Sequence, residues 1–172
     1  MAYTDIIEFD DNLRYDINVI EWGLYGSSWQ VTTSWTNIGN SVTNELYADN
    51  EYFDFDSNRN NAFLTIKKRG LYNLTLTSCF SMASGGLTNS QLGWAGIFIN
   101  DIGFTKEPKF QSVSYTHQDV YQARITARCG GFAILNEGDT VHAAVSRSGL
   151  GGSLTCSGAD RMRVAHVFDL AD

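Results

Sequence analysis

The sequence predicts an all-β sandwich of two antiparallel sheets, and three observations support this. The chain has 172 residues with 16 glycines, one proline, 13% aromatic residues and only 18% charged residues, a composition that favours strands joined by polar loops. Alternating segments recur about every 10 to 15 residues, and none has a convincing period of 3.6. Two turn-and-strand signatures, at residues 68–76 and 134–141, each place a glycine just before an alternating strand. We therefore expect eight to ten strands and almost no helix.

The first third of the chain alternates strands with turns. Trp29, Val31, Thr33 and Trp35 alternate with polar residues, which is the period of a half-buried strand. We expect strands at residues 17–22 and 29–35, turns at residues 23–28 and 37–40, and mostly loop at residues 41–61.

The middle third contains the first signature. Tyr72, Leu74, Leu76 and Phe80 share one face of the segment 71–82, so one side of this strand is expected to be buried. We expect residues 62–66 and 71–82 to form an antiparallel pair through the turn at 67–70. We expect residues 92–100 to form a strand buried on both sides, closed by a hairpin turn at 100–103.

The last third contains the only proline, Pro108, which keeps residues 104–119 from being a central strand. The second signature predicts that residues 130–135 and 140–146 form another pair. We expect further strands at residues 121–129 and 161–170 and a flexible loop at residues 149–158. The closing strand places alternate residues on one face, namely Met162, Val164, His166, Phe168 and Leu170.

In this order, the signatures resemble the compact jelly-roll heads of complement and tumour necrosis factor-like proteins. The most specific parts are Gly70-Leu71-Tyr72 before a long central strand and the run from Leu135 to Val141 near the end, and the resemblance covers residues 29–170. It implies a ten-strand jelly roll in Greek-key order that assembles as a homotrimer around a threefold axis. We therefore divide the chain into residues 1–28, an N-terminal arm or edge strands, and a jelly-roll domain of residues 29–172.

The resemblance also implies which residues matter for assembly. Carried onto this chain, the trimer-interface candidates are Tyr72 and Leu74 of the central strand and His166 and Phe168 of the closing strand. The alternative is that all four belong to the core of the single chain. The expected structural turns are at Gly70, Gly138 and Asp139.

The charge and the cysteines limit the partners. A net charge of -7 disfavours nucleic acid phosphates and anionic lipid, so neither nucleic acid nor membrane is an expected partner. Residues 1–11 have no secretory signal pattern, so we expect synthesis in a cytoplasm. Cys79, Cys129 and Cys156 are an odd number, and we expect them to be reduced, buried thiols.

The sequence shows no catalytic pattern, so we expect no enzyme, no cofactor and no metal. Its three histidines are 24 or more residues apart, and it has no nucleophile elbow or phosphate-binding loop. Asp54-x-Asp56-x-Asn58 has the first spacings of a calcium loop, but Arg59 stands where that loop needs glycine. A hydrolase with a carboxylate pair is the weakest of the alternatives.

Two functions therefore remain open. The first is a trimeric capsid decoration or cement protein on a phage virion, made in the host cytoplasm, that binds the major capsid protein or another virion protein. The alternative is a receptor- or glycan-binding head of a tail fibre or baseplate. Its binding platform would use exposed loop aromatics, namely Tyr47, Tyr52, Phe110 and Tyr115.

Overall fold

The computed structural model describes residues 18–25, 29–38, 51–56, 62–82, 90–117, 124–150, 153–156 and 159–170. Within these residues every regular element is a strand, and the strands form two antiparallel sheets. The front sheet contains β1 (Val19–Tyr25), β2 (Trp29–Gln30), β6 (Gly70–Met82), β9 (Arg124–Leu135), β11 (Leu154–Cys156) and β12 (Ala159–Asp169). The back sheet contains β3 (Thr36–Asn37), β4 (Phe53–Asp56), β5 (Phe63–Ile66), β7 (Ser90–Ile99), β8 (Phe110–His117) and β10 (Thr140–Leu150). The predicted all-β sandwich of two antiparallel sheets is confirmed, although the described residues form twelve strands rather than the eight to ten expected.

Strand β6 is the centre of the front sheet. It pairs with β9 along one edge and with β12 and β11 along the other, and β1 pairs with the far side of β12. The back sheet has the order β4-β5-β10-β7-β8, with β3 also on β10. Strand β8, which follows Pro108, is an edge strand as predicted. No helix that could cross a bilayer occurs in the part of the chain that the structure describes.

The core lies between the inner faces of the two sheets. The predicted inner face of β6 is confirmed, because Tyr72, Leu74, Leu76 and Phe80 are all fully buried. The prediction that β7 is covered on both sides is confirmed for Ala95–Phe98, where four consecutive residues are buried. Burying each large apolar side chain stabilises the fold by about 1.5–3 kcal/mol, so this layer is the main source of stability.

Both signatures connect one sheet to the other, so the two predicted strand pairs are wrong. Strand β5 pairs with β4 and β10 in the back sheet, whereas β6 pairs with β9 and β12 in the front sheet. Strands β9 and β10 likewise lie in different sheets. The residues of a turn specify that the chain reverses direction. Which sheet the next strand joins depends on partner strands far away in the sequence.

Strand β1 is longer than predicted, because Gly23 lies inside it rather than in a turn. Gly23 is opposite Arg161 of β12. A Cβ atom at Gly23 would lie 1.8 Å from the carbonyl oxygen of Asp160, so the glycine permits a close approach of two backbones. Strand β1 is an edge of the front sheet, and residues 1–17 of the predicted N-terminal arm lie outside the described residues.

The predicted strand at residues 29–35 is instead a crossing between the sheets. Strand β2 pairs with β11 in the front sheet, and β3 pairs with β10 in the back sheet. Between them Thr32 Oγ1 donates a hydrogen bond to Ser34 O at 2.9 Å. Hydroxyl-to-backbone bonds of this kind favour a bend over a continuous strand.

Three other boundaries differ from the prediction. Phe53–Asp56 forms β4 within the stretch that was expected to be mostly loop, Leu154–Cys156 forms β11 within the expected loop at 149–158, and Arg124–Leu135 is one strand rather than two. The connection after β7 is ten residues long rather than a tight hairpin, since β8 begins at Phe110. Asp101 orders it by accepting hydrogen bonds from the Lys106 amide at 2.7 Å and Thr105 Oγ1 at 3.1 Å.

Candidate interaction surfaces

Two of the four predicted interface residues belong to the core of the single chain. Tyr72 and Leu74 are 0% exposed, so their side chains are not available to a second subunit, and the prediction is corrected for both. The Tyr72 hydroxyl donates a hydrogen bond to the Lys68 carbonyl oxygen at 2.6 Å. Burial raises the pKa of Tyr72 well above its usual value, so the hydroxyl stays a neutral donor.

His166 lies in an aromatic stack at one end of the sandwich. Its ring centroid is 4.3 Å from that of Tyr52 and 5.2 Å from that of Tyr72. Lys68 Nζ lies 4.4 Å from the Tyr52 ring centroid on that stack, and it forms an ion pair with Glu51. Only 8% of the His166 side chain is exposed. His166 therefore packs beneath the surface residues and offers little area to a second subunit.

Phe168 is the interface candidate whose side chain reaches the surface. The pairing of β12 with β6 shifts register between His166 and Phe168, which marks a β-bulge at Val167. A bulge changes the alternation of side chains along a strand. As a result Val167 and Phe168 are both about half exposed, and the predicted common face of β12 ends at His166.

The front sheet has an apolar outer surface that we call the front patch: Leu71, Phe132, Ile134 and Phe168. Leu71 pairs with Ile134 on one side and with Phe168 on the other, and directly opposite residues share a face. Phe132 is 63% exposed and Ile134 is 60% exposed. Neither β9 residue is among the interface candidates predicted from the sequence, although both alternate with the buried Ala133 and Leu135.

The back sheet has a second apolar surface, which we call the back patch: Leu92, Trp94, Val113 and Tyr115. Val113 pairs with Trp94 and Tyr115 pairs with Leu92 along strands β7 and β8. Val113 is 44% exposed and Tyr115 is 57% exposed. Large side chains that cluster in this way are typical of interaction surfaces.

The edges of the two sheets that carry these patches lie side by side. Strand β8 ends the back sheet and β9 ends the front sheet. Ser114 Oγ donates a hydrogen bond to the Thr126 carbonyl oxygen, which links the two strands. At the edge formed by β8 and β9, the sandwich therefore has apolar side chains on the outer face of each sheet.

The predicted turn residues differ in their conformation. Gly138 has φ +85°, a backbone region that favours glycine, and the Asp139 carboxylate accepts the Asn136 amide at 2.7 Å. Gly70 is the first residue of β6 and is buried. A Cβ atom at Gly70 would lie 2.7 Å from the Phe168 carbonyl oxygen and 3.0 Å from His166 Nε2, so this glycine permits the close pairing with β12 beside the aromatic stack.

The aromatic residues predicted for a glycan platform do not form one surface in the described residues. Tyr52 is half-buried against His166, Phe110 packs against the core, and Tyr115 belongs to the back patch. Tyr47 lies outside the described residues.

The titratable groups of the described residues are mostly structural. His142 stacks on Phe63 at 5.3 Å between ring centroids, and burial lowers the pKa of its imidazole. Asp160 is fully buried, and its Oδ1 accepts the Cys79 amide at 3.1 Å. Burial raises the pKa of Asp160 to about 6.

Asp54 and Asp56 lie in strand β4, and no group of three or more metal-ligating side chains occurs among the described residues.

The comparison with known proteins gives a fold but no family. No protein-family model matches the sequence, and no curated protein matches it. Among solved structures the chain is similar to Eiger TNF from S. frugiperda, with a TM-score of 0.59 and 9% sequence identity over 91% of this chain and 96% of that chain. The likeness establishes a tumour necrosis factor-like jelly roll.

Proposed function

We propose that this chain assembles as a homotrimer and acts without chemistry as a decoration or cement protein on the surface of a phage capsid. The observation that carries the assembly step is the presence of two different apolar patches on one subunit. A cyclic ring of three subunits uses a heterologous interface, in which one surface of a subunit contacts a different surface of the next. The front patch and the back patch fit this requirement.

The geometry of the patches supports a closed ring. They lie on opposite outer faces of the sandwich, next to the edge formed by β8 and β9. The β8 edge of one subunit, with Val113 and Tyr115, fits against Phe132 and Ile134 of its neighbour. Aromatic and aliphatic side chains bury large areas when they pair in this way.

The virion role rests on the assembly and on the charge. A rigid trimer matches the local threefold positions of an icosahedral shell, and an acidic protein with a net charge of -7 is repelled by the packaged genome. The partner is the major capsid protein or another virion protein. A protein that binds only the assembled lattice stabilises it by mass action.

The first experiment measures the solution mass by analytical ultracentrifugation at micromolar concentration. We expect three times the 19.1 kDa of one chain. Phe132→Asp in the front patch and Val113→Asp in the back patch should each give monomers, because a charge would be buried unpaired. Glu137→Gln is the matched control, since Glu137 is exposed on the neighbouring turn and should leave the trimer intact. A wild-type monomer contradicts the proposal.

The second experiment tests the partner. Purified trimer is mixed with phage particles that lack their decoration protein, and bound protein is measured after sedimentation. Saturable binding that raises the temperature of genome release supports the cement function. Binding to host cells or glycans but not to shells supports instead a recognition head of a tail fibre or baseplate.

A further inference from the structure

A hollow of about 670 Å³ opens beside the front patch, where β6, β9 and the start of β8 meet. The hollow is shallow and open to solvent, so it suits a small group bound at the surface rather than an enclosed ligand. Gly130 and Gly131 of β9 form part of the lining of the hollow, and the Phe110 ring packs against Gly131, where an added Cβ atom would lie 2.7 Å from it. A Cβ atom at Gly130 would lie 2.2 Å from the Leu74 carbonyl oxygen, so the pairing with β6 requires a residue without a side chain here.

The polar residues that line the hollow are either cationic or neutral groups that can donate hydrogen bonds. Arg128 and Lys109 carry positive charges, and Asn73, Thr75 and Gln111 supply amide and hydroxyl groups. None of the described lining residues is acidic. Neither Arg128 nor Lys109 has an ion pair with a described residue. Two uncompensated cations beside several neutral donors suit an anion.

The strand register adds positive charge next to the hollow. Thr75 pairs with Gly130 on one side and with Arg163 on the other, and Thr77 lies in the same way between Arg128 and Arg161. Arg161 Nε lies 3.8 Å from the Glu21 carboxylate, whereas Arg163 has no ion pair within the described part of the chain. This surface is basic in a protein whose net charge is -7, so it is a local feature rather than a consequence of composition.

We propose that this hollow binds an oxyanion group, a sulfate, phosphate or carboxylate, with Arg128 as the principal ligand. Arginine presents several N–H donors in a planar fork that matches such groups. Thr75 and Asn73 hydrogen-bond the remaining oxygens, and Lys109 supplies a second charge. Phe110, which is half-buried against Gly131 and the core, also lines the hollow, and the exposed part of its ring contacts the group that carries the anion, such as a sugar ring.

The test titrates isotope-labelled protein with sodium sulfate, with N-acetylglucosamine 6-sulfate and with N-acetylglucosamine at constant ionic strength. The readout is the amide resonances of Gly130 and Gly131. Because Gly131 adjoins Phe132 of the front patch, the solution mass is measured on the same samples, and shifts at constant mass report binding rather than a change in assembly. We expect saturable shifts with the two sulfates and none with the neutral sugar. Stronger binding of the sulfated sugar shows that the anion is carried on a sugar, and equal binding shows that the free anion suffices.

Two variants locate the site. Arg128→Gln should weaken binding about tenfold, because it removes one charge-assisted contact. Arg124→Gln is the matched control, because Arg124 is an exposed arginine on β9 that does not line the hollow, and it should bind as the wild type does. The proposal is overturned by absent shifts at 50 mM sulfate (roughly the weakest affinity of interest), by equal shifts with the neutral sugar, or by equal losses in the two variants.

Discussion

Asn100 and Asp139 join the loop after β7 to the turn before β10. Asn100 Nδ2 donates a hydrogen bond to Asp139 Oδ1 at 2.7 Å, and Asn100 Oδ1 accepts the Thr140 amide at 2.8 Å. Asn100 has φ +55°, a conformation that asparagine tolerates better than most residues. The two residues therefore fix the relative position of neighbouring strands at one end of the back sheet.

Removing the Asp139 carboxylate should lower stability. Asp139→Ala loses the hydrogen bonds from Asn100 Nδ2 and from the Asn136 amide, and the expected loss in the free energy of unfolding is about 1–2 kcal/mol. Urea denaturation measures it. Glu137→Ala on the same exposed turn should change the free energy by less than about 0.5 kcal/mol. Equal losses in the two variants would mean that the carboxylate has no special role.

Asp160 should make stability depend on pH. The pKa of its buried carboxyl is raised from 3.8 to about 6, so the folded state favours the neutral acid. The raised pKa therefore adds to the free energy of unfolding at low pH. This contribution, about 3 kcal/mol at most, is fully present below pH 4 and is lost as the pH rises through about 6. Asp160→Asn keeps an acceptor for the Cys79 amide but cannot ionise.

The difference in unfolding free energy between Asp160→Asn and the wild type isolates this effect from the other carboxylates. We expect the variant to gain stability relative to the wild type between about pH 4 and pH 6.5. Denaturation curves at several pH values measure the difference. Parallel pH profiles for the two proteins would show that Asp160 ionises normally in the fold.

Gly23→Ala should disrupt the edge of the front sheet. The added Cβ atom would lie 1.8 Å from the Asp160 carbonyl oxygen, so β1 must separate from β12, at an expected cost of about 2–3 kcal/mol. Thermal and urea unfolding measure the change. Gly103→Ala is the control, since the nearest atom to its added Cβ is the Thr105 methyl group at 3.4 Å. Its stability should stay within about 0.5 kcal/mol of the wild type.

A core residue and an interface residue should have different effects on stability and on solution mass. Leu74→Ala removes a fully buried side chain and should cost about 2–5 kcal/mol of stability without changing the solution mass below its unfolding transition. Phe168→Ser changes a half-exposed residue of the front patch and should weaken the trimer more than it destabilises the subunit. Ultracentrifugation and denaturation of both variants give the two readouts. A lower solution mass for Leu74→Ala, with no change for Phe168→Ser, would show that Leu74 lies in the interface.

The three thiols should differ in reactivity. Burial raises the pKa of Cys129 to about 12 and that of Cys156 further still, whereas Cys79 is only half-buried. Because the thiolate is the reactive form, a disulfide reagent at pH 8 should modify Cys79 first and the other two only on unfolding. Cys79→Ser should abolish the fast phase. A fast phase that survives in this variant would identify another exposed thiol.

The sequence by itself determined the features that depend on local alternation. Tyr72, Leu74, Leu76 and Phe80 fall on one face of β6 because a strand has a period of two residues, so their burial could be predicted. The exclusion of a central strand after Pro108 and the turn at Gly138 follow in the same way from backbone chemistry. These rules need no knowledge of the partner strand.

The tertiary structure decided which strands are neighbours, and with this the surfaces. The sequence at Gly23 indicates a turn, but the close approach of Asp160, far along the chain, makes the glycine part of a strand. Phe132 and Ile134 become part of a patch only because β9 pairs with β6, where Leu71 lies between Ile134 and Phe168. The physical reason is that strands pair so that the two sheets together bury one core. This requirement involves the whole chain, so it cannot be seen in any single segment.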